Sequence, residues 1–194
     1  STATGSRVLA SAASTLKRVT LELGGNDAGI VMDDVDVEAV APQIFDGAFG
    51  NNGQICIAMK RVYAHESIYD KLVDQLAELA KEAAVGNGLE QGTKLGPLQN
   101  KMQFEKVKDY IEEGRADGTI VAGGEVPDGN GYFIPPTIVK DIDDESRLVK
   151  EEQFGPVLPV IKYDDIDDVI ERANDSDYGL GGSVWSSDTE RAYE

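Results

Sequence analysis

The amino-acid sequence predicts an α/β fold with a mainly parallel sheet and helices on both of its faces. Short apolar segments typical of strands alternate with amphipathic helical segments along almost the whole chain. A length of 194 residues fits one domain with a sizeable core. The sequence contains no internal repeat, low-complexity segment or linker, so we expect residues 1–194 to form a single domain.

The first half of the chain begins with a small, polar segment 1–5 that is a plausible helix start. Helical spacing over 7–16 and two strand patterns follow it. Alternation of apolar and polar residues over 18–23 predicts a strand that Gly24 and Gly25 end. Acidic residues up to Asp36 can cap the next helix, whereas Pro42 favours a later start for it. The predicted elements are helix 7–16, strand 18–23, strand 27–32 and helix 37–49.

The remaining elements follow the same alternation. We interpret Ser67 as the N-cap of a long amphipathic helix and Asp188 as the N-cap of the last helix. The acidic runs 141–145 and 164–168 are interpreted as helix caps on a solvated surface. The predicted elements are strand 61–65, helix 68–84, helix 100–115, strand 119–122, an extended segment 132–139 broken by two prolines, strand 156–163, helix 165–174, strand 182–185 and a final helix.

Charge and composition narrow the classes of partner and compartment. The chain carries 36 acidic and 18 basic residues, a net charge of −18, which would repel a nucleic-acid backbone. No apolar run approaches the roughly 20 residues of a membrane-spanning helix, and the first residues do not match a signal peptide. With one cysteine and no disulfide framework, we expect a reducing, cytoplasmic environment.

Cys56 is the only cysteine of the chain. It can form neither an internal disulfide nor a Cys-rich zinc site, and we predict no metal site. A lone cysteine is more often a buried, inert packing residue than a nucleophile. The polar loop 50–53 leads into Cys56, with Ile55 and Ile57 on either side of the thiol. This setting favours a nucleophile, and both interpretations stay open on the pattern alone.

Glu22 is a candidate general base. Thiolate attack on a carbonyl needs donors for the oxyanion, and hydrolysis of the resulting thioester needs a base that activates water. Glu22 would lie at the carboxyl end of the predicted strand 18–23, where the sites of open α/β sheets gather. A solvent-facing glutamate on an edge strand is an equally good interpretation.

Four stretches, in this order, resemble the NAD(P)-dependent aldehyde dehydrogenase superfamily, and the resemblance covers essentially the whole chain. The separation of Glu22 from Cys56 also fits this family. The stretches are Leu21-Glu22-Leu23-Gly24-Gly25, Gly53-Gln54-Ile55-Cys56, Glu151-Glu152-Gln153-Phe154-Gly155-Pro156-Val157, and Tyr178-Gly179-Leu180 with Ser183-Val184-Trp185.

The resemblance implies oxidation of a small aldehyde to a carboxylic acid. Cys56 would add to the aldehyde as a thiohemiacetal, and its backbone N–H would be one oxyanion donor. Hydride transfer to the cofactor would leave a thioester on Cys56. Glu22 would activate the water that hydrolyses this thioester.

The resemblance also implies NAD or NADP as cofactor and assigns residues to it. Glu152 would hold the ribose hydroxyls beside the nicotinamide, and Phe154 would pack near the ring. Leu23 and Gly24 would flank the nicotinamide. Ser1 would lie near the pyrophosphate, at a helix start.

By this resemblance, residues 1–194 correspond to the catalytic domain trimmed at both ends, without the cofactor-binding domain and the oligomerisation tail. The complete protein would be a homo-dimer or homo-tetramer. We expect little or no dehydrogenase activity from these residues alone. The alternative function is a folded domain that acts at most as a weak esterase or as a structural or interaction module.

Two other thiol chemistries fit less well. A cysteine hydrolase needs a histidine beside the thiol, and nothing in the sequence places the only histidine, His65, next to Cys56. We therefore interpret His65 as a surface residue. A CoA-acylating relative would pass its acyl group to another thiol and would not need Glu22.

Overall fold

A computed structural model, which describes residues 1–193, contains one sheet of six strands. The strands are β1 (Asp27–Val31), β2 (Met59–His65), β3 (Thr119–Ala122), β4 (Thr137–Lys140), β5 (Val157–Tyr163) and β6 (Gly182–Trp185). Their order is β3-β4-β5-β2-β1-β6, and all neighbouring pairs are parallel except β3 and β4. The predicted mainly parallel sheet is confirmed.

Helices pack on both faces of this sheet, as predicted. They are α1 (Thr2–Ala13), α2 (Val37–Phe49), α3 (Glu66–Glu82), α4 (Lys101–Asp117), α5 (Arg147–Lys150), α6 (Ile166–Asn174) and α7 (Thr189–Tyr193). One apolar cluster joins α2 and α3 to the sheet, and a second joins α4, α5 and α6 to it. Val62 belongs to the first cluster and its neighbour Tyr63 to the second, because successive strand residues point to opposite faces.

Two helix starts follow the sequence prediction. Asp36 caps α2 by accepting a hydrogen bond from the Glu38 amide at 3.1 Å, and the Asp188 carboxylate accepts from the Glu190 amide at 3.1 Å. Helix α2 nevertheless begins at Val37, so the later start expected from Pro42 is wrong. The proline is tolerated at the cost of one helical hydrogen bond.

Two predicted caps are wrong. Helix α3 is capped by His65, whose Nδ1 accepts from the Ser67 amide at 3.3 Å, instead of by Ser67 itself. Helix α5 is capped by Ser146, which follows the acidic run 141–145. The second acidic run does supply a cap, since Asp165 accepts from the Asp168 amide at 2.9 Å.

The predicted strand 18–23 does not form. Its residues are extended, and within residues 1–193 they pair with no strand. The alternation is nevertheless visible, because Leu21 and Leu23 are half-buried while Glu22 is exposed. The sequence pattern encodes a one-sided packing surface, but a strand also needs a neighbour for its backbone hydrogen bonds.

Helix α1 begins in the segment 1–5, as expected for a helix start, and ends three residues before the predicted end of helix 7–16. Ser1 is its N-cap, and Gly5 is its buried residue. A Cβ on Gly5 would come within 2.6 Å of the Leu23 side chain. The close approach of this glycine therefore packs the extended segment against α1.

None of the helices described within residues 1–193 is long and apolar enough to cross a membrane.

Candidate active site

The four sequence motifs meet at one edge of the sheet, and this edge is not the predicted one. Strands β1, β2, β5 and β6 are mutually parallel, so their amino ends share an edge. The motif segments 21–25, 53–56, 151–155 and 178–180 each come directly before one of these strands. The candidate site therefore lies at the amino ends of the strands, and the expected carboxyl-end position of Glu22 is wrong.

The loop that carries the thiol, Gly50–Cys56, is called here the thiol loop. It follows α2 with three successive residues in the left-handed region, namely Asn51 (φ 50°), Asn52 (φ 57°) and Gly53 (φ 73°). Asparagine and glycine tolerate this region better than other residues. The Asn-Asn-Gly sequence thus permits the abrupt turn from helix to thiol.

Side-chain hydrogen bonds fix the thiol loop. Asn51 Nδ2 donates to the Gln54 carbonyl and Gln54 Nε2 donates to the Asn51 carbonyl, both at 3.1 Å. Gln54 Oε1 also accepts from the Gln99 amide at 2.9 Å, and Asn52 Nδ2 donates to the Gly96 carbonyl at 3.0 Å. These contacts tie the loop to itself and to residues 96–99.

The Cys56 thiol is free and exposed. The interpretation of Cys56 as a buried packing residue is therefore wrong. Its neighbours are exposed apolar side chains, with Ile57 63% exposed and Ile55 36% exposed. An accessible thiol beside an apolar surface is open to a small organic substrate.

A second segment, residues 152–155, carries Glu152 and Phe154. Three successive carbonyls of this segment accept hydrogen bonds from side chains of α4. Lys106 Nζ donates to the Glu152 carbonyl at 2.9 Å. Gln103 Nε2 donates to the carbonyls of Gln153 at 2.7 Å and Phe154 at 3.0 Å. A single helix, α4, therefore holds the main chain of the two cofactor candidates on this segment, Glu152 and Phe154.

Phe154 adopts φ 51°, which is uncommon for a large side chain. Such a conformation costs about 1–3 kcal/mol and persists only where the surroundings enforce it. The preceding residue supplies part of that enforcement, because the fully buried Gln153 donates to the Leu148 carbonyl at 2.9 Å. The half-buried Phe154 is thus held in a conformation that an unconstrained chain would avoid.

Gly24 and Gly25 join these two segments. The Gly25 amide donates to Glu152 Oε1 at 3.0 Å. A Cβ on Gly24 would lie 2.6 Å from both carboxylate oxygens of Glu152, and a Cβ on Gly25 would lie 2.5 Å from the Cys56 carbonyl. A side chain at Gly25 would overlap the Cys56 backbone, and one at Gly24 would adopt a strained φ of 112° and displace the Glu152 carboxylate. The paired glycines therefore allow Glu152 and the main chain of Cys56 to approach the same turn.

Glu22 lies in a cleft of about 340 Å³ that Thr2, Leu23 and Gly24 also line. Ser1 directly precedes Thr2 and caps helix α1, where its Oγ accepts a hydrogen bond from the Thr4 amide at 3.4 Å. Cys56 is not among the residues that line the cleft. The base candidate therefore groups directly with the cofactor candidates, and Gly25 provides the contact to the thiol loop.

His65 lies at the opposite end of β2 from the thiol. Strand β2 has 7 residues, so its ends are separated by about 20 Å. The imidazole accepts from the start of α3 and contacts the Tyr163 ring edge-on at 5.4 Å. This geometry excludes His65 as the base that would activate Cys56.

Sequence reasoning missed three buried charges near the motifs, namely Asp27, Lys60 and Arg61. Lys60 is 1% exposed, and burial lowers the pKa of its ammonium to about 7, opposed by the carboxylates of Glu152 and Asp27. Burial raises the pKa of Asp27, which accepts from the Gly181 amide at 3.1 Å. The available signal was the charged pair Lys60-Arg61 immediately before the apolar strand residues Val62, Tyr63 and Ala64. Within residues 1–193, no three His, Cys, Asp or Glu side chains group as a metal site.

Together these features define a class: α/β domains that present a free thiol and carboxylates at one edge of a mainly parallel sheet. The sequence model of the aldehyde dehydrogenase family matches residues 1–194, and the chain belongs to that family. The mitochondrial aldehyde dehydrogenase of Leishmania tarentolae is 47% identical over 95% of this chain and 37% of its own. The chloroplastic betaine aldehyde dehydrogenase of Beta vulgaris is 44% identical over 98% of this chain and 39% of its own.

Solved structures agree with this assignment. The NAD+ complex of the aldehyde dehydrogenase from Bacillus cereus superposes with a TM-score of 0.95 and 42% identity, over 100% of this chain and 40% of that one. Lactaldehyde dehydrogenase from Escherichia coli gives a TM-score of 0.94 and 37% identity, over 100% of this chain and 41% of that one. The chain thus has the fold of these enzymes and spans about two fifths of their length.

Proposed function

We propose that the protein containing this chain is an NAD(P)-dependent aldehyde dehydrogenase that forms a thioester on Cys56. The observation that carries the proposal is the turn at Gly24 and Gly25, which contacts both Glu152 and the main chain of Cys56. Nucleophile and cofactor candidates from three distant parts of the sequence thereby meet at one turn. Family membership and the exposed thiol support the same reaction.

The residues fit a dinucleotide. Gly24 has no side chain in front of the Glu152 carboxylate, where a Cβ would clash with both oxygens. One carboxylate oxygen accepts from the Gly25 amide, and the other is available for a ribose hydroxyl. Glu152 would hold that ribose, Phe154, Leu23 and Gly24 would flank the nicotinamide, and Ser1 would lie near the pyrophosphate. When bound, the nicotinamide supplies the hydride acceptor.

The chain's own residues perform the remaining steps. The Cys56 thiolate attacks the aldehyde carbon, a C–S bond forms, and the Cys56 N–H donates to the developing oxyanion. Loss of hydride from that carbon leaves a thioester. Glu22 takes a proton from water, the hydroxide attacks the thioester, and the C–S bond breaks to release the acid and restore the thiolate. Since the site needs a water route, the exposure of Glu22 suits this role.

The test is Cys56→Ala in the full-length protein. We expect aldehyde-dependent NAD(P)H formation to be abolished, while the melting temperature stays within about 2 °C because the thiol is exposed. Exposed Met102→Ala is the matched control and should keep full activity. Turnover by Cys56→Ala comparable to wild type would rule out the covalent mechanism.

A second candidate function applies to the chain by itself. Because the chain spans about two fifths of its relatives, residues 1–194 alone would be a folded domain with at most weak esterase activity from the exposed Cys56. Hydrolysis of p-nitrophenyl acetate that disappears in Cys56→Ala, without NAD(P)H formation from aldehydes, is the expected result. A cytoplasmic homo-dimer or homo-tetramer stays a prediction for the whole protein.

A further inference from the structure

Lys60 is a buried lysine whose hydrogen-bond acceptors are main-chain carbonyls, not carboxylates. It lies in β2, is 1% exposed, and forms no salt bridge within residues 1–193. Burial of an ammonium is costly unless hydrogen bonds compensate for the lost water. A strand position of this kind would ordinarily hold an apolar residue, so the lysine requires a local explanation.

The explanation lies in its two hydrogen-bond acceptors. Lys60 Nζ donates to the carbonyl of Gly53 and, at 3.3 Å, to the carbonyl of Gly155. Gly53 belongs to the thiol loop, and Gly155 ends the segment that carries Glu152 and Phe154. The ammonium therefore bridges the two halves of the candidate site.

The two segments are in direct contact at this bridge. A Cβ on Gly53 would overlap the Gly155 carbonyl and lie 2.9 Å from Lys60 Nζ. Two carbonyl oxygens that converge on one point repel each other unless a donor lies between them, and a buried carbonyl without a donor is costly. Lys60 supplies that donor to both.

We propose that Lys60 is a positioning residue that sets the separation between the thiol loop and the segment 152–155, and thereby aligns Cys56 with the nicotinamide of the bound cofactor. This inference rests on the proposed function. Lys60 touches neither substrate nor cofactor and acts through the carbonyls of Gly53 and Gly155. Lysine suits the role because three N–H groups on a flexible stem can reach acceptors from two directions.

The protonation of Lys60 makes the bridge sensitive to pH. The carboxylates that face it are Glu152 from the segment 152–155 and Asp27 at the start of β1, and both favour the ammonium, whereas burial disfavours it. Charged donors form stronger hydrogen bonds than neutral ones. The bridge is therefore strongest below about pH 7, where Lys60 is protonated, and weakens as the pH rises through that value.

The experiment measures NAD+ and NADP+ affinity of the full-length protein by calorimetry between pH 6 and 8.5. For whichever dinucleotide binds, the wild-type Kd should rise through an inflection near pH 7. Lys60→Met should raise the Kd about tenfold at pH 6, as expected for losing a charge-assisted hydrogen bond, and should remove the inflection. Lys60→Arg, which stays protonated throughout, should keep the low Kd and also lack the inflection.

The control is Lys81→Met, which removes the same charge at an exposed position on α3 where Lys81 pairs with Glu78 at 2.7 Å. It should retain the wild-type affinity and pH profile. An unchanged profile in Lys60→Met would overturn the positioning role while leaving the proposed function intact, provided Cys56→Ala is inactive. If Lys60→Arg fails to fold, the wild-type and Lys60→Met profiles decide alone. Absence of dinucleotide binding by the wild type would overturn both proposals.

Discussion

The two candidate catalytic residues lie on segments of opposite character. The thiol loop is fixed by side-chain hydrogen bonds of Asn51, Asn52, Gln54 and Lys60. The segment 18–24, which carries Glu22, is extended, largely exposed and unpaired with any strand among residues 1–193. It is anchored by the packing of Leu23 on α1 and by the bond of the adjacent Gly25 to Glu152. The chain therefore fixes the position of Cys56, the candidate nucleophile, more firmly than that of Glu22, the candidate base.

This difference has a physical consequence for substitutions. Changes that disturb the hydrogen bonds or the backbone conformation of the thiol loop should reduce stability and activity together, whereas the exposed thiol itself contributes little to stability. Changes in the segment 18–24 should affect activity with little effect on stability, since few contacts are lost. Each of the following predictions tests one side of that contrast.

The largest expected effect is on the activity of Glu22→Gln in the full-length protein. Without a base, thioester hydrolysis should slow by roughly 10²–10⁴-fold, whereas the preceding hydride transfer continues. Stopped-flow absorbance should show a burst of reduced cofactor followed by slow turnover. The free energy of unfolding should stay within about 0.5 kcal/mol of wild type, because Glu22 is exposed. Equal slowing of burst and turnover would count against Glu22 as the base.

The next effect is on stability and concerns Gly53→Ala in the thiol loop. Gly53 has φ 73°, and an added Cβ would overlap the Gly155 carbonyl. We expect a loss of about 2–4 kcal/mol in urea unfolding, from backbone strain and displacement of the segment 152–155. Gly88→Ala is the matched control, since no atom lies within 4 Å of its added Cβ. Similar values for the two variants would show that the thiol loop is less constrained than we infer.

The sequence predicted the layered arrangement of sheet and helices correctly, but not whether residues 18–23 pair as a strand or at which edge of the sheet the motifs meet. Alternation of strand and helix patterns is enough to place helices on both faces, because each element must bury an apolar side. The strand pattern of 18–23 resembles that of real strands, but strand formation depends on a neighbour that a local pattern cannot reveal. The edge at which the motifs meet depends likewise on topology, since it follows from which strands are parallel.

Parts of the candidate site could likewise be predicted from the sequence, and other parts could not. Cys56 and the paired glycines Gly24 and Gly25 are visible in the sequence by residue type. The hydrogen bonds of Lys60 and Gln103 are not, because both donors reach carbonyls of a distant segment, and a backbone carbonyl carries no sequence signal. Residue identity indicates which side chains can carry out the chemistry, whereas the fold determines which other side chains hold those residues in place.

A smaller effect concerns the pH dependence of stability that Lys60 contributes. The pKa of Lys60 is about 7 in the folded chain and 10.5 for an ordinary lysine, so between these values the unfolded chain binds more protons. The stability of wild type should therefore rise with pH relative to that of Lys60→Met, by up to about 1.4 kcal/mol per pH unit between pH 7 and 9. Chemical denaturation at several pH values measures this difference. If the difference in unfolding free energy between wild type and Lys60→Met stayed constant with pH, the pKa of Lys60 would not be lowered in the folded chain. The stability difference between wild type and the control Lys81→Met should not change with pH.

The smallest expected effect tests whether the segment 18–24 behaves as a strand in this chain. Thr20→Pro removes one backbone N–H, which in a paired strand would break a hydrogen bond of the ladder. Because Thr20 is exposed and unpaired among the described residues, we expect the free energy of unfolding to change by about 0.5 kcal/mol or less. Val62→Pro, in the central strand β2, should instead cost about 3 kcal/mol or more. If Thr20→Pro were as damaging as Val62→Pro, the segment would have a partner that makes it a strand, and the position of Glu22 would be as firmly fixed as that of Cys56.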